Sequence, residues 1–178
     1  MIRVFPVQGG ASIPNDFSFV ATTNLRKHLG NDLFAPTGTS LVAVDNGIIR
    51  FATDPLGGNV ANLYADDGTR YYYAHLSRYE GVSGRRVRAG DVIGYIGTTG
   101  NAQGTPPHTH FEVHPGNGAA INPFSQLQDA LNNPIMTVIA PSLAVRKAGG
   151  FVLGVLALGA GAWYYLSGSR RSAGFRRR

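Results

Sequence analysis

Five histidines are the scarce reactive side chains of this 178-residue sequence, and three of them fall within seven residues. His108, His110 and His114 share the run PPHTHFEVHP (106–115), with Glu112 between the last two. A fourth, His28, stands four residues before Asp32 with Gly30 between them, and the fifth, His75, sits near the end of TRYYYAHL (69–76). The chain has no cysteine, so a metal would have to be held by imidazole and carboxylate. A catalytic zinc takes three such ligands and leaves a fourth position for water, whose pKa falls far enough for it to attack at neutral pH. His28 and Asp32 with one of His108 or His110 make such a set, and they leave histidines over for acid–base work.

These residues need elements to hold them. Thr109, Phe111 and Val113 alternate with His108, His110, Glu112 and His114, a period of two that marks a strand with one apolar and one imidazole-bearing face. His75 falls in a similar alternating run and is expected on a continuous strand. Turn signals recur through the first 124 residues: APTGT (35–39), VDNGII (44–49), DPLGGN (54–59), ADDGT (65–69) and RAGD (88–91). Asp45-Asn46-Gly47 and Asp66-Asp67-Gly68 supply residues tolerant of positive φ, which predicts hairpin turns at both places. With 24 glycines and 10 prolines the expectation is a mainly β domain, a compact antiparallel sheet. The glycine-rich runs DPLGG and GTTGNAQG precede no strand-to-helix transition, so they read as hairpin loops beside a cleft, not as phosphate cradles.

The net charge of +6 is unevenly placed. Residues 1–124 carry nine basic and nine acidic groups, whereas residues 125–178 carry seven basic groups against Asp129 alone. A neutral main domain argues against nucleic-acid binding there. PFSQLQDALNNPI (123–135) predicts a short helix, at the start of a helical and linker segment over 125–147. Residues 148–169 then run 22 positions without a charge, and about 20 helical residues span a bilayer core. Trp163, Tyr164 and Tyr165 near one end match an interfacial belt, and Gly150 with Gly154 would allow close helix–helix association. Arg146 and Lys147 precede this stretch, and five arginines in the tail 170–178 follow it. That asymmetry predicts a single-pass membrane protein with its C-terminus inside and residues 1–124 outside. The opening MIRVFPVQGG has no signal-peptide pattern. Together with the anchor, this raises the expectation of a lytic protein in a bacteriophage virion membrane.

The sequence resembles the M23 family of zinc metallopeptidases, the lysostaphin and LytM type of peptidoglycan endopeptidase. The resemblance covers nearly all of residues 5–115. It runs in family order through H-x-G-x-D (His28, Gly30, Asp32), DLFAPTGTSLVAVDNGII, GGNVANLYADDGTRYYYAHL, GRRVRAGDVIGYIGTTG and H-x-H-F-E-V. It implies an M23/LytM-like fold, with Zn2+ held by His28, Asp32 and His110. His108 and His75 would be the catalytic pair that acts as general base and oxyanion stabiliser. The implied activity is cleavage of peptidoglycan cross-links, either glycyl–glycyl bridges or D-alanyl–diaminopimelate links, both of which occur as substrates in the family. Family members that have lost ligands only bind the wall or activate other enzymes; here every ligand is present. Glu112 either orients a histidine or pairs with an arginine. His114 lies beyond the matched motif and is expected as an exposed strand end, the alternative being a supporting place at the rim of the site.

Overall fold

A computed structural model describes residues 1–18 and 27–133 of the protein. Among these residues nine strands follow one another: β1 (Asn31–Phe34), β2 (Ser40–Val42), β3 (Gly47–Asp54), β4 (Gly58–Ala65), β5 (Arg70–Tyr73), β6 (Leu76–Tyr79), β7 (Arg86–Val87), β8 (Val92–Ile96) and β9 (His108–His114). They pair antiparallel into a six-stranded sheet of order β1-β9-β5-β4-β3-β7 and a three-stranded sheet of order β2-β8-β6. One helix, α1 (Phe124–Asn132), lies within the stretch expected to be helical. The mainly β, antiparallel expectation holds. Among the described residues no helix is long and apolar enough to cross a membrane. The stretch 148–169, with Gly150 and Gly154, and the tail 170–178 lie outside the described residues.

Alternation explains which faces close on each other. Leu33, Ile49, Leu63, Tyr71, Tyr73, Phe111 and Val113 of the large sheet and Leu41, Leu76, Ile93 and Ile96 of the small one are buried in a single cluster. Ile2, Phe5 and Val7 from the N-terminal segment join it. Val7 bridges Leu41 and Ser12 bridges Phe34, so this segment is laced to strands of both sheets. The Tyr73 hydroxyl crosses the interior: it accepts the Val44 N–H and donates to the Val42 carbonyl, both at 3.1 Å. Its full burial pushes the phenol well above its usual titration range, so it remains a donor.

Three expectations about the chain path need correction. GTTGNAQG (97–104) is no hairpin loop but carries the chain from β8 of the small sheet to β9 of the large one, through a 3-10 turn at Gly100–Ala102. Asp66-Asp67-Gly68 does close the β4–β5 hairpin, with Gly68 at φ 83° and its N–H bonded to the Ala65 carbonyl. Asp45-Asn46-Gly47 instead carries the chain from β2 of the small sheet to β3 of the large one. There the Asp45 carboxylate accepts the Asn46 N–H and pairs with Arg3, an arrangement that turn-type residues serve equally well. The run TRYYYAHL is likewise not one strand. It breaks after Tyr73, and His75, at φ 65°, turns the chain from the large sheet into the small one. Tyr73, Ala74, His75 and Leu76 are all buried, so the run stays apolar and aromatic through the corner and carries no turn residue to mark the break.

Tyr73→Phe strands a buried N–H and a buried carbonyl. It is expected to cost about 1–3 kcal/mol in equilibrium denaturation with an unchanged denaturant slope. A loss below a few tenths would show that the hydroxyl bridge contributes nothing.

Candidate metal centre and active site

The β1–β9 ladder sets Asp32 directly opposite His110, and antiparallel partners share a face. Just before β1, His28 exchanges two backbone hydrogen bonds with Ser18, of 2.8 and 3.0 Å, which fixes its position beside that face. Gly30 makes the approach feasible. A side chain there would overlap the Phe111 carbonyl and stand 2.9 Å from the His110 ring. The result is a triangle of donor atoms. His28 Nε2 lies 3.1 Å from Asp32 Oδ1, His110 Nδ1 lies 3.0 Å from the same oxygen, and the two nitrogens are 2.9 Å apart. Tetrahedral coordination with bonds of about 2.0–2.1 Å separates ligand atoms by about 3.3 Å, so the triangle is close to the face of a zinc site.

Each imidazole is oriented by what its other nitrogen touches. A carbonyl or carboxylate oxygen only accepts, so a ring nitrogen facing such an oxygen outside the triangle carries a proton. The protons shared within the triangle are those a bound metal would displace. His28 Nδ1–H donates to the Asp16 carbonyl at 2.9 Å, leaving Nε2 for the triangle. His110 Nε2–H donates to Glu112 Oε1 at 3.1 Å, leaving Nδ1. His108 Nδ1–H donates to the Pro106 carbonyl at 2.8 Å, and its Nε2 stands 3.8 Å from Asp32 Oδ2. His75 Nδ1–H donates to the Thr99 carbonyl at 2.9 Å. The rings of His75 and His108 are 4.9 Å apart, and that of His75 is 6.4 Å from His110.

His75 owes its left-handed backbone to two loops. Its N–H bonds the Gly57 carbonyl at 2.7 Å, and its ring bonds Thr99. The loops are tied to each other by Asn101 N–H to Leu56 O and by Asn59 N–H to Thr99 Oγ1, both at 2.9 Å. Asp54 braces the first loop through the N–H groups of Leu56 and Gly57, and it accepts the Tyr72 hydroxyl at 2.9 Å.

The electrostatics follow burial and neighbours. Burial alone would lower the His110 pKa, but the carboxylates of Asp32 and Glu112 outweigh it and raise the metal-free imidazole to about 9. Burial works the other way on Asp32, and the bonds from His110 and His28 overcome it, holding the carboxyl far below the carboxylate range. His75 is lowered by its burial and so stays neutral at pH 7 with a free Nε2.

All five residues expected in the site therefore meet in one place. His114, expected at an exposed strand end, is buried instead: its Nδ1–H donates to the Gly118 carbonyl at 2.8 Å and its Nε2 lies 2.6 Å from Glu112. The turn at Pro115–Asn117 folds back over it, which the strand pattern did not indicate. Sequence reasoning also missed the carbonyls of Asp16, Thr99 and Pro106, because a backbone acceptor has no residue type to read.

Comparison with known proteins fits this geometry. The model of peptidase family M23 matches residues 26–123, more than half of the chain. The chain belongs to peptidase family M23. The DD-carboxypeptidase/endopeptidase Mpg of Neisseria meningitidis serogroup B is 40% identical over 113 residues, which is 63% of this chain and 25% of that protein. The catalytic domain of the antimicrobial peptidase lysostaphin from Staphylococcus simulans superposes with a TM-score of 0.58 at 33% identity, over 66% of this chain and 92% of that one. A zinc-containing peptidase from Vibrio cholerae gives 0.56 at 25% identity, over 66% of this chain and 37% of that one. This M23 chain thus spans about a quarter of the length of the Mpg proteins it matches. The family's cofactor is zinc, and the His28–Asp32–His110 triangle is a donor set that suits it.

The raised His110 value lies above the ordinary 6.5, so its proton stabilises the metal-free fold fully below pH 6.5, and that contribution is lost as pH rises through about 9. The thermal midpoint in chelator is expected to fall between pH 6.5 and 9, and excess zinc, which displaces the same proton, to flatten the slope. A midpoint that rises across this window in chelator would refute the assignment.

Proposed function

We propose that the protein is a zinc-dependent endopeptidase that hydrolyses peptide cross-links of bacterial peptidoglycan. The observation that carries this reading is the meeting of three metal-type donor atoms with two further histidines, each bonded through Nδ1 to a backbone carbonyl so that Nε2 is the nitrogen left over. His28 Nε2, Asp32 Oδ1 and His110 Nδ1 are the proposed ligands. Bound there, zinc supplies a Lewis acid that lowers the pKa of water and polarises a carbonyl.

The rest of the chemistry falls to the chain itself. His75 and His108 each keep their proton on Nδ1, pinned to a backbone carbonyl. Each can therefore accept a proton at Nε2 without turning its ring. One takes the proton of the attacking water as its oxygen adds to the scissile carbonyl. The other takes a proton at Nε2 from bulk solvent before the attack, donates it as a hydrogen bond to the oxygen that becomes negative, and returns it to solvent after the products leave. When the carbon–nitrogen bond breaks, the proton taken from water passes to the leaving amine. Charge and atoms then balance, with one new carboxyl and one new amine.

The domain plan is part of the same proposal: a peptidase domain over 1–124, a helical and linker segment over 125–147, a membrane-crossing helix over 148–169 and a basic tail over 170–178. The uncharged run and its basic flanks support an anchor with the tail inside and the peptidase outside. Protease protection in vesicles tests the orientation. Recovery in lipid-bearing phage particles or in cell envelopes decides which membrane holds the protein.

The decisive experiment digests peptidoglycan of both bridge types with the full-length protein in mild detergent and reads the new amino termini by mass spectrometry. Defined termini that vanish with chelator are expected. Zinc bound without any cleavage would leave only a wall-binding or activator module. His110→Ala is expected to lose both zinc and activity. His108→Ala is expected to keep zinc and lose about 10²–10⁴-fold in rate. A His108 variant with undiminished rate would remove that residue from the mechanism.

A further inference from the structure

Glu112 and His114 belong neither to the metal triangle nor to the His75–His108 pair, yet they continue the same strand face. We propose that Glu112, clamped by His114, is a positioning residue that fixes His110 in the tautomer presenting Nδ1 to the metal. This rests on the reading that His110 is a zinc ligand.

An imidazole can ligate through either nitrogen, and a free ring exchanges its proton between the two. Here the choice is made by Glu112, whose Oε1 lies 3.1 Å from His110 Nε2 and accepts only. Glu112 is itself held, since its other oxygen is 2.6 Å from His114 Nε2. His114 is anchored in turn through Nδ1–H to the Gly118 carbonyl at 2.8 Å, in the turn that closes β9. Residues 110, 112 and 114 stand on one face about 7 Å apart in sequence pairs, so a carboxylate between two imidazoles reaches one with each oxygen. Water cannot substitute readily: the side chains of His110, Glu112 and His114 are 13%, 17% and 9% exposed.

The competing role for Glu112 is an ion pair with an arginine. Arg70 lies across from His114 on β5, but its guanidinium donates to Asn62 Oδ1 at 3.0 Å and to Asn117 Oδ1 at 2.9 Å. Glu112 has no arginine partner among the described residues, and both of its oxygens are taken up by histidines.

The test uses the full-length protein and zinc alone, titrated against a chelating indicator, with ring ¹H–¹⁵N correlations of the zinc-loaded form. Glu112→Ala is expected to raise the zinc Kd by about 10- to 100-fold and to replace the single Nδ1-bound His110 pattern with a mixture. Glu112→Gln keeps an acceptor for His110, and its amide can donate to His114, so it is expected to restore the Kd to within about threefold of wild type with a pure Nδ1 pattern. His114→Ala, which frees the second oxygen, is expected to shift the Kd in the same direction by less, and it serves where Glu112→Ala does not fold. Wild-type Kd and a pure Nδ1 pattern in both alanine variants would overturn the positioning role while leaving the metal site intact. Failure of the wild type to bind zinc would overturn the ligand assignment itself, and this inference with it.

Discussion

Two imidazole nitrogens and a carboxylate oxygen about 3 Å apart repel one another unless a cation or shared protons lie among them. The pairing of β1 with β9 forces that arrangement, because Asp32 and His110 are register partners and His28 is held one turn of chain away by Ser18. In the metal-free protein the cost is met by protonation, which explains the raised His110 and the depressed Asp32. With zinc, the metal replaces the proton. Metal affinity and the β1–β9 ladder are therefore one system, and Gly30 is the position where the two strands come too close for any side chain.

The two histidines outside the triangle depend on a different constraint. Their reactive nitrogens are chosen by backbone carbonyls, from Thr99 for His75 and from Pro106 for His108. Neither ring can present its other nitrogen without abandoning a buried hydrogen bond. His110 is held instead by a side chain, Glu112, so backbone carbonyls orient the two histidines outside the triangle and a carboxylate orients the third member of the triangle. That difference is also why Glu112 was open to two readings in the sequence, while the carbonyl partners gave no signal there.

Much of the architecture was legible because it is carried by alternation and by turn residues. The β9 face, the Asp66–Gly68 hairpin and the helix near residue 124 are local features with local causes. What escaped was non-local. Asp45-Asn46-Gly47 has hairpin composition but joins two sheets, since composition reports the turn and not the strand that receives the chain. The break at His75 falls among buried residues with no turn type to mark it, and the burial of His114 depended on a turn that folds back after the strand ends. His28, Asp32, His108 and His110 could be picked out because histidine is rare in this chain and they stand in two pairs at fixed spacing. His75 and the choice of His110 over His108 came instead from the resemblance to the M23 family. The supports of these residues could not be picked out.

The corner at His75 also ties the site to loops away from the β1–β9 pair. Segments 54–59 and 97–101 are bonded to each other and supply both groups that hold His75. An insertion in either would move the His75 ring, so neither is free to vary in length. The geometry of the site is therefore set in part by two connections that lie outside the β1–β9 pair carrying Asp32, His108 and His110.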